Sequence, residues 1–343
     1  MKQKDLWEKR VFVILIGLVF MGFAFWILNR RTEAPTDIGI DRPVVVTTLF
    51  PLYDMARFVG GDDADVSLLL PPGIEPHSFE PTPADIVRIG EADVFVYTGD
   101  AMEPWAKDVL SGTGRRDLLA VDASEGIAMR VGSDGDEHGH EGEEGMDQED
   151  DADADLEEEE GHHHDHGGLD PHIWLDFDNA AVMVRHVAAA LSEADPSHAA
   201  AYADRAEKYV SGLSDLNRAY RDGLAVCKSR TIVYGGHYAF GYLVARYGLS
   251  YEAAQGFSPD AEPTAKDLAR LVGQVRRERL SAVFAEELSS PKIAETIAAE
   301  TGATVLGLDA AHNLTRDEAE HSVSFFDIMR RNLDTLRQGL SCE

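Results

Sequence analysis

The sequence predicts an α/β protein with two lobes, each built on a mostly parallel sheet and joined by one long rigid linking helix. Three observations predict it: short β-branched runs alternate with helical stretches, this alternation occurs twice, and a long helical pattern separates the two series. Strands that alternate with helices are typical of parallel βαβ units. With 343 residues, 44% of them hydrophobic, the chain is large enough for two cores.

The chain begins with an apolar segment. Residues 11–28, "VFVILIGLVFMGFAFWIL", contain no charge, and Lys2, Lys4, Lys9 and Arg10 precede them. As a helix they would span about 27 Å, close to the hydrocarbon thickness of a bilayer. The segment has no clear small-residue cleavage site and no cysteine that could accept a lipid. We therefore expect residues 1–31 to be a transmembrane anchor or signal segment. The uncleaved anchor is the favoured interpretation, and residues 32–42 are expected to be a linker.

The first lobe is expected over residues 43–194. Its predicted strands are "PVVVTTLFPL", "DVSLLLP" and "ADVFVYTG", with helical stretches such as "PTPADIVRIGEA" between them. Residues 131–168 interrupt this pattern: between Asp134 and Asp165 there are 17 acidic residues and no Lys or Arg. Such a segment buries too little apolar surface to offset its ordering entropy, so we predict a disordered acidic, His-rich loop.

The linking helix is predicted over residues 195–226. Asp195 is a suitable N-cap, and Pro196 fits the first helical position. Apolar positions then recur every three or four residues: Tyr202, Ala206, Tyr209, Leu213, Leu216, Tyr220 and Leu224. The second lobe, residues 227–343, repeats the βα alternation through "TIVYGG", "SAVFAE" and "ATVLGLD" and closes with a helix, "SFFDIMRRNLDTLRQGL".

Charge and motif content exclude several functions. The chain has 62 Asp and Glu against 31 Lys and Arg, a net charge of −31, which argues against a nucleic-acid partner. It contains no nucleophile elbow, no H-E-x-x-H and no phosphate-binding loop, so we do not expect an enzyme. Cys227 and Cys342 lack a metal-type spacing and could form a disulfide in an oxidising compartment, although the sequence does not show that they meet.

Four residues are the candidate metal ligands. His77 in "PPGIEPHSFEP" and His172 in "GGLDPHIWLD" lie in Gly/Pro-rich loops, whereas His237 in "TIVYGGHYAF" and Asp309 in "ATVLGLDAAHN" follow strands. Ligands of open α/β sheets bind beyond the carboxyl ends of strands, so two facing lobes would bring two residues each into the cleft. Three imidazoles and one carboxylate suit Zn²⁺ in a closed tetrahedral shell, which favours capture over catalysis. Neutral imidazoles are required, so affinity should fall below about pH 6.5.

The sequence leaves the roles of several other acidic residues and histidines undecided. Glu286 or Glu287 in "FAEELSS" is an alternative fourth ligand, and His312 lies near enough to Asp309 to support a ligand. The dense histidines of the acidic segment would lose chain entropy on binding a metal. They are equally consistent with weak metal contacts and with a solvated linker; they are His138, His140, His162, His163, His164 and His166.

Several motifs resemble the substrate-binding proteins of zinc and manganese ABC importers. They are "LLLPPGIEPHSFEPTPADIVRIGEADVFVYTG", "DPHIWLDFDNA", "GGHYAFGYLVARYGLS", "FSPDAEPTAKDLARLV" and "SAVFAEELSSPKIAETIAAETGATVLGLD", and the similarity covers about residues 43–340. The resemblance implies two lobes on a rigid helix with the metal between them, and it places the family's ligands at His77, His172, His237 and Asp309. A histidine at position 237 and an acidic His-rich loop before His172 favour Zn²⁺ over Mn²⁺.

The resemblance implies an extracytoplasmic zinc-binding protein, in the periplasm or at the outer face of the membrane. It would be a monomer that delivers Zn²⁺ to an ABC permease and its ATPase. The alternatives are a manganese or iron carrier, a surface adhesin of the same fold and, from another class, a zinc hydrolase. Three features depart from the family. Its members are usually released by signal cleavage or tethered through a lipidated cysteine, whereas a transmembrane anchor is expected here. In addition, "LDAAHN" replaces the usual "LDP", and Ala282 occupies a position that is a disulfide cysteine in some zinc members.

Overall fold

The computed structural model describes residues 42–131, 168–257, 259 and 262–343. The expected anchor over 11–28, the expected linker apart from residue 42, and residues 132–167 of the expected acidic loop lie outside this range. Residues 42–343 form one structural unit. Within the described ranges, no helix combines the length and hydropathy needed to cross a membrane.

The first lobe contains a four-stranded parallel sheet in the order β2-β1-β3-β4. Its strands are β1 (Val44–Thr47), β2 (Asp65–Leu68), β3 (Val94–Tyr97) and β4 (Leu119–Asp122), and its helices are α1 (Phe50–Gly60), α2 (Pro83–Glu91), α3 (Ala106–Thr113) and α4 (Phe177–Ala194). The central strand β3 is buried along its whole length, which explains its unbroken apolar sequence.

The second lobe repeats this topology, with a parallel sheet in the order β6-β5-β7-β8. Its strands are β5 (Thr231–Tyr234), β6 (Ser250–Ala253), β7 (Ala282–Glu286) and β8 (Thr304–Leu308). Its helices are α6 (Gly241–Tyr247), α7 (Ala265–Glu278), α8 (Lys292–Thr301), α9 (Arg316–Glu320) and α10 (Phe325–Gly339). The predicted α/β class with two parallel sheets is confirmed.

The linking helix, α5 (Ala199–Gly223), lies between the lobes in sequence and contacts both. It follows a 3-10 turn, Pro196–His198, so the predicted helix begins as a tighter turn. The buried Tyr209 hydroxyl donates to the Asp54 carboxylate in α1 at 2.8 Å, and the Tyr220 hydroxyl donates to the Met329 carbonyl in α10 at 2.6 Å. These buried bonds fix one helix face against both lobes.

Helix starts are strongly encoded in the sequence. Four helices begin with a capping box, in which a Ser or Thr hydroxyl accepts from a backbone N–H three residues later and the acidic side chain there accepts in return. The pairs are Thr82 with Asp85, Thr264 with Asp267, Thr315 with Glu318, and Ser324 with Asp327. Each satisfies N–H groups that the first helical turn leaves without a partner.

Two strands were not predicted, and one covalent link was left open by the sequence. Strands β4 and β6 each lie at one edge of their sheet and are only partly buried, and their sequences "LAVD" and "SYEA" lack a sustained apolar pattern. Cys227, just before β5, forms a disulfide with Cys342 at the end of the chain. This bond resolves the pairing that the sequence left open.

Three segments tie the lobes together beside the strand ends. The Asn313 side-chain amide donates to the carbonyls of Pro71 and Ile74 at 2.9 and 2.8 Å, and the Gly73 N–H donates to the Leu314 carbonyl at 2.7 Å. We call the contact of residues 71–74 with residues 313–314 the interlobe clamp. Nearby, the buried Trp174 indole donates to the Ala310 carbonyl.

Candidate metal centre

Each candidate histidine follows from the local fold. His77 lies in the loop between β2 and α2, and His237 lies three residues after β5. His172 directly precedes the 3-10 turn Ile173–Leu175, whose three side chains are buried and hold the loop inward. His172 and His237 are fully buried, whereas His77 is half-buried.

The structure brings the three histidines together, and we call them the histidine tripod. The Nε2 atom of His172 lies 3.2 Å from that of His77 and 3.1 Å from that of His237. Tetrahedral zinc with bonds of about 2.0–2.1 Å to imidazole holds its ligand atoms about 3.3–3.4 Å apart. Lone pairs facing each other this closely repel unless a cation or proton lies between them. The tripod therefore has the spacing of nitrogens that share one ion.

Asp170 orients the central ring of the tripod. Its Oδ1 accepts from the His172 Nδ1–H at 2.9 Å and from the His172 backbone N–H at 3.0 Å. With the proton held on Nδ1, the Nε2 lone pair is available to a metal. Burial lowers the pKa of His172, although the Asp170 carboxylate opposes this effect. His172 is thus kept neutral, as a metal ligand must be.

Glu286 plays the corresponding part beside His237. Its Oε1 lies 2.6 Å from His237 Nδ1, although the two groups are not aligned as a hydrogen bond. Burial raises the pKa of Glu286, but the adjacent His237 side chain opposes this effect, and the net shift of the pKa is downward. Glu286 therefore supplies negative charge directly behind a tripod nitrogen.

Glycine at position 241 makes room for this arrangement. A Cβ there would lie 2.4 Å from Asp170 Oδ2 and 2.8 Å from a Tyr238 ring carbon. Both distances are far shorter than van der Waals contact, so any side chain would displace the carboxylate that orients His172.

Asp309 lies outside the tripod in the described structure. Its Oδ1 accepts from the Ala311 N–H at 2.7 Å, and its Oδ2 accepts from the Arg331 guanidinium at 3.1 Å. Burial raises the pKa of Asp309 to about 7. The role of Asp309 as fourth ligand remains a prediction. Of the alternatives, Glu287 is exposed and Glu286 contacts His237 through Nδ1, on the ring edge away from the tripod.

His312 lies beside the tripod rather than in it. Its ring centroid is 5.8 Å from that of His237, compared with 5.0–5.2 Å between the tripod rings. Burial lowers the pKa of His312 to about 3, so the ring is neutral.

The sequence interpretation missed two supporting carboxylates, Asp170 and Glu75. Both stand two residues before a tripod histidine in an acid-Pro-His pattern, "EPH" and "DPH". Glu75 Oε1 accepts from the His77 N–H at 3.2 Å, as Asp170 does from His172. The repeated pattern was a readable signal, because an acidic side chain in such a turn can bond to the N–H two residues on.

Comparison with known proteins agrees with this geometry. The ZnuA family, described as "Zinc-uptake complex component A periplasmic", matches residues 45–339. The high-affinity zinc uptake system protein ZnuA of Bacillus subtilis is 36% identical over 312 residues, which cover 91% of this chain and 92% of that protein. The zinc-binding protein AdcA of Streptococcus pyogenes is 34% identical over 329 residues, and the match covers 96% of this chain but 61% of AdcA.

Solved structures show the same fold. The Zn(II)-bound ZnuA-like domain of Streptococcus pneumoniae AdcA matches with a TM-score of 0.69 at 29% identity, covering 87% of this chain and 99% of that domain. The laminin-binding protein Lmb of Streptococcus agalactiae, described as bifunctional with adhesin and metal-transporting activity, matches with a TM-score of 0.71 at 28% identity and the same coverages.

Proposed function

Since the chain belongs to the ZnuA family of periplasmic zinc-uptake components, we propose that it captures Zn²⁺ outside the cytoplasm and delivers it to an ABC importer. The ion is cargo, bound by His77, His172 and His237. One observation carries the proposal: the Nε2 atom of buried His172 lies 3.2 Å from that of His77 and 3.1 Å from that of His237, and the three histidines come from widely separated segments.

The chemistry of these ligands supports zinc over manganese. Imidazole nitrogens suit Zn²⁺, whereas Mn²⁺ prefers more oxygen ligands. The ZnuA of Bacillus subtilis and the AdcA proteins named above are described as zinc proteins. A manganese or iron carrier is therefore the weaker alternative.

A metal-competition titration tests this function. The metal-free full chain is titrated with Zn²⁺ against a chelating dye, and then challenged with Mn²⁺. We expect one tight Zn²⁺ that Mn²⁺ does not displace, and His172→Ala should weaken it by at least a hundredfold. The control is His321→Ala, because the side chain of that histidine is 69% exposed and is not part of the tripod. Equal affinity in the two variants would overturn the assignment of the tripod.

The fourth ligand decides between capture and catalysis. Catalytic zinc keeps an open position for water or substrate, whereas an ion with four protein ligands has none. We propose Asp309 for this position, as the sequence predicts, and no enzymatic role for the protein. If Asp309 binds the ion, Asp309→Asn should lower zinc affinity at least tenfold. If the side chain only accepts hydrogen bonds from Arg331 and from the Ala311 N–H, zinc affinity should stay unchanged.

We also propose that residues 11–28 anchor the protein to the membrane, with the two lobes outside the cytoplasm and a permease as partner. The observation is the 18-residue uncharged segment after four basic residues. Membrane fractionation followed by N-terminal sequencing tests it: an anchored chain stays in the membrane fraction with this segment intact. Recovery of a soluble chain that starts beyond residue 28 would contradict it.

The acidic segment is proposed to concentrate ions near the site or to report on zinc abundance, without forming the tight site. Deletion of residues 134–166 should therefore leave tight Zn²⁺ binding unchanged and reduce only the number of weakly bound ions. Loss of the tight ion would refute this division of roles.

An adhesin role is the second candidate, favoured by the similarity to Lmb. It predicts that a His77→Ala chain still binds laminin, while zinc uptake fails. If both activities depend on His77, or if wild-type chain does not bind laminin, the adhesin role is refuted.

A further inference from the structure

A groove of about 530 Å³ lies beside strand β2, and residues other than the tripod line it. One wall is formed by residues 66–72, which comprise most of β2 and the start of the loop after it. The other walls are formed by α1, by Arg88 of α2, and by a segment of the second lobe that includes Leu314 and Val323. The volume is typical of ligand-binding sites, which measure about 300–1,000 Å³. We call this feature the β2 groove.

Strand β2 presents an unpaired edge to the groove. In the part of the chain that the structure describes, β2 is an outer strand of its sheet and pairs with β1. The Asp65 and Leu69 N–H groups donate to carbonyls at the ends of β1, at 3.0 and 2.7 Å. Because these groups alternate along a strand, the N–H and carbonyl groups of Val66 and Leu68 point to the opposite edge. This edge can therefore pair with one more strand.

Helices α1 and α2 flank this edge from opposite faces of the sheet. The chain crosses outward from β1 to β2 through α1, and it crosses back from β2 to β3 through α2. Right-handed crossovers that run in opposite directions place their helices on opposite faces. A strand added to β2 would therefore be contacted by side chains from both helices.

Most of the groove is apolar. Phe50 and Tyr53 of α1 and Leu70 after β2 line it from the first lobe, and Leu314 and Val323 line it from the second. An extended chain directs every second side chain to the same face. A segment with apolar residues at alternate positions would therefore fit this lining while its backbone pairs with β2.

Two arginines provide positive charge at the groove. Arg57 lies in the last turn of α1 and Arg88 in the last turn of α2, and each side chain is 43% exposed. Their ion pairs are long, at 3.4 Å from Arg57 to Asp54 and 3.5 Å from Arg88 to Asp85, and both carboxylates also accept from hydroxyl groups. A guanidinium has five N–H donors, so each arginine can also bind a carboxylate of another molecule. The charge of the groove thus complements an acidic ligand.

We propose that the β2 groove binds an extended acidic segment of a partner protein, which adds to β2 as a further strand. Backbone hydrogen bonds to Val66 and Leu68 would hold the segment, and its carboxylates would bind Arg57 and Arg88. The segment would touch both lobes beside the interlobe clamp, because clamp residues line the groove. This inference goes beyond the proposed function, since it involves neither the tripod nor a metal ion.

Binding of labelled peptides to the full chain tests the proposal. The probe is a capped octapeptide of alternating valine and glutamate, and its neutral twin carries glutamine in place of glutamate. At about 0.15 M salt, where long-range repulsion by the acidic chain is screened, we expect the glutamate probe to bind with a dissociation constant below about 1 mM. The glutamine probe should bind at least tenfold more weakly. Absence of binding, or equal binding of the two probes, overturns the proposal.

Substitutions in the full chain separate the backbone contribution from that of charge. Val66→Pro removes an N–H that β1 does not use, and it should abolish binding of both probes. Arg57→Gln combined with Arg88→Gln should weaken the glutamate probe at least tenfold and leave the glutamine probe unchanged. The control is Arg218→Gln combined with Arg330→Gln, which removes two exposed arginines that do not line the groove. Equal losses in the two double variants overturn the proposal, and urea unfolding verifies that each variant folds.

A second copy of the chain is the competing occupant of the groove. Sedimentation of the full chain in detergent, over a range of concentrations, distinguishes the two. A monomer that binds the glutamate probe supports the proposal. A dimer that Val66→Pro converts to a monomer overturns it, because β2 would then pair with β2 of another copy.

Discussion

Replacing Asp170 with asparagine removes one charge from behind the tripod and changes little else. The asparagine Oδ1 can still accept from the His172 Nδ1–H and N–H, which the carboxylate binds at 2.9 and 3.0 Å. The Asp170 backbone is held separately, because its N–H donates to the Arg130 carbonyl and its own carbonyl accepts from the Tyr242 hydroxyl. The substitution therefore isolates the electrostatic contribution of the carboxylate.

The expected magnitude follows from hydrogen-bond energies. A bond to a charged acceptor contributes about 1.5–3 kcal/mol, against about 1 kcal/mol for a neutral one. The difference of about 1–2 kcal/mol corresponds to about a 5- to 30-fold loss of zinc affinity. This agrees with the roughly 10- to 100-fold losses typical when the partner of a metal-binding histidine is changed.

Competition of Asp170→Asn against a chelating dye at pH 7.5 measures this loss. Urea unfolding in the presence of EDTA provides the control, because the metal-free variant should be about as stable as wild type if the asparagine Oδ1 keeps both hydrogen bonds. Zinc affinity within twofold of wild type, in a variant that folds normally, would refute the role assigned to Asp170.

Three further predictions concern the scaffold. Gly241→Ala should lower zinc affinity at least tenfold, because the added Cβ displaces the carboxylate behind His172. Gly112→Ala is the control, because a Cβ at that position meets no atom within 4 Å and should leave the affinity unchanged. Dye competition compares the two variants, and equal affinities would contradict the steric explanation. Burial raises the pKa of Glu103 from 4.5 to about 7, so its stabilising protonation is complete below pH 4.5 and is lost as pH rises through about 7. Between pH 4.5 and 8, the free energy of unfolding of metal-free wild type should therefore fall by on the order of 3 kcal/mol relative to that of Glu103→Gln. Urea unfolding at a series of pH values measures this difference, and parallel pH profiles of the two proteins would refute it. Replacing Cys227 and Cys342 with serine should lower the free energy of unfolding by about 2–5 kcal/mol, because the disulfide closes a loop of 115 residues; an unchanged urea midpoint would count against it.

The parallel sheets were predictable because their central strands are buried on both faces and therefore read as continuous apolar runs. Strands β1, β3, β5 and β7 all have this character. Strands β4 and β6 were missed because they are short and only partly buried, and "LAVD" and "SYEA" carry no sustained apolar pattern. The disulfide was also undecidable, since 115 residues separate its cysteines.

The tripod was predictable because each histidine stands at a strand end or in a Gly/Pro-rich loop, where this fold places ligands. The supporting groups were harder to identify, because Asp170 acts only through His172 and Glu286 through His237. His312 shows the limit clearly: its sequence context suggests support for Asp309, yet the turn directs its ring toward Glu286 and Glu75. Which side of a turn a ring faces depends on packing that local sequence does not specify.

The interlobe clamp has a consequence for unloading. Three hydrogen bonds hold the loop that leads to His77 against the opposite lobe. At about 1 kcal/mol each, their rupture would suppress spontaneous opening about a hundredfold. A captured ion should thus escape slowly in free solution, and a docking partner could hasten its departure by competing for the amide of Asn313.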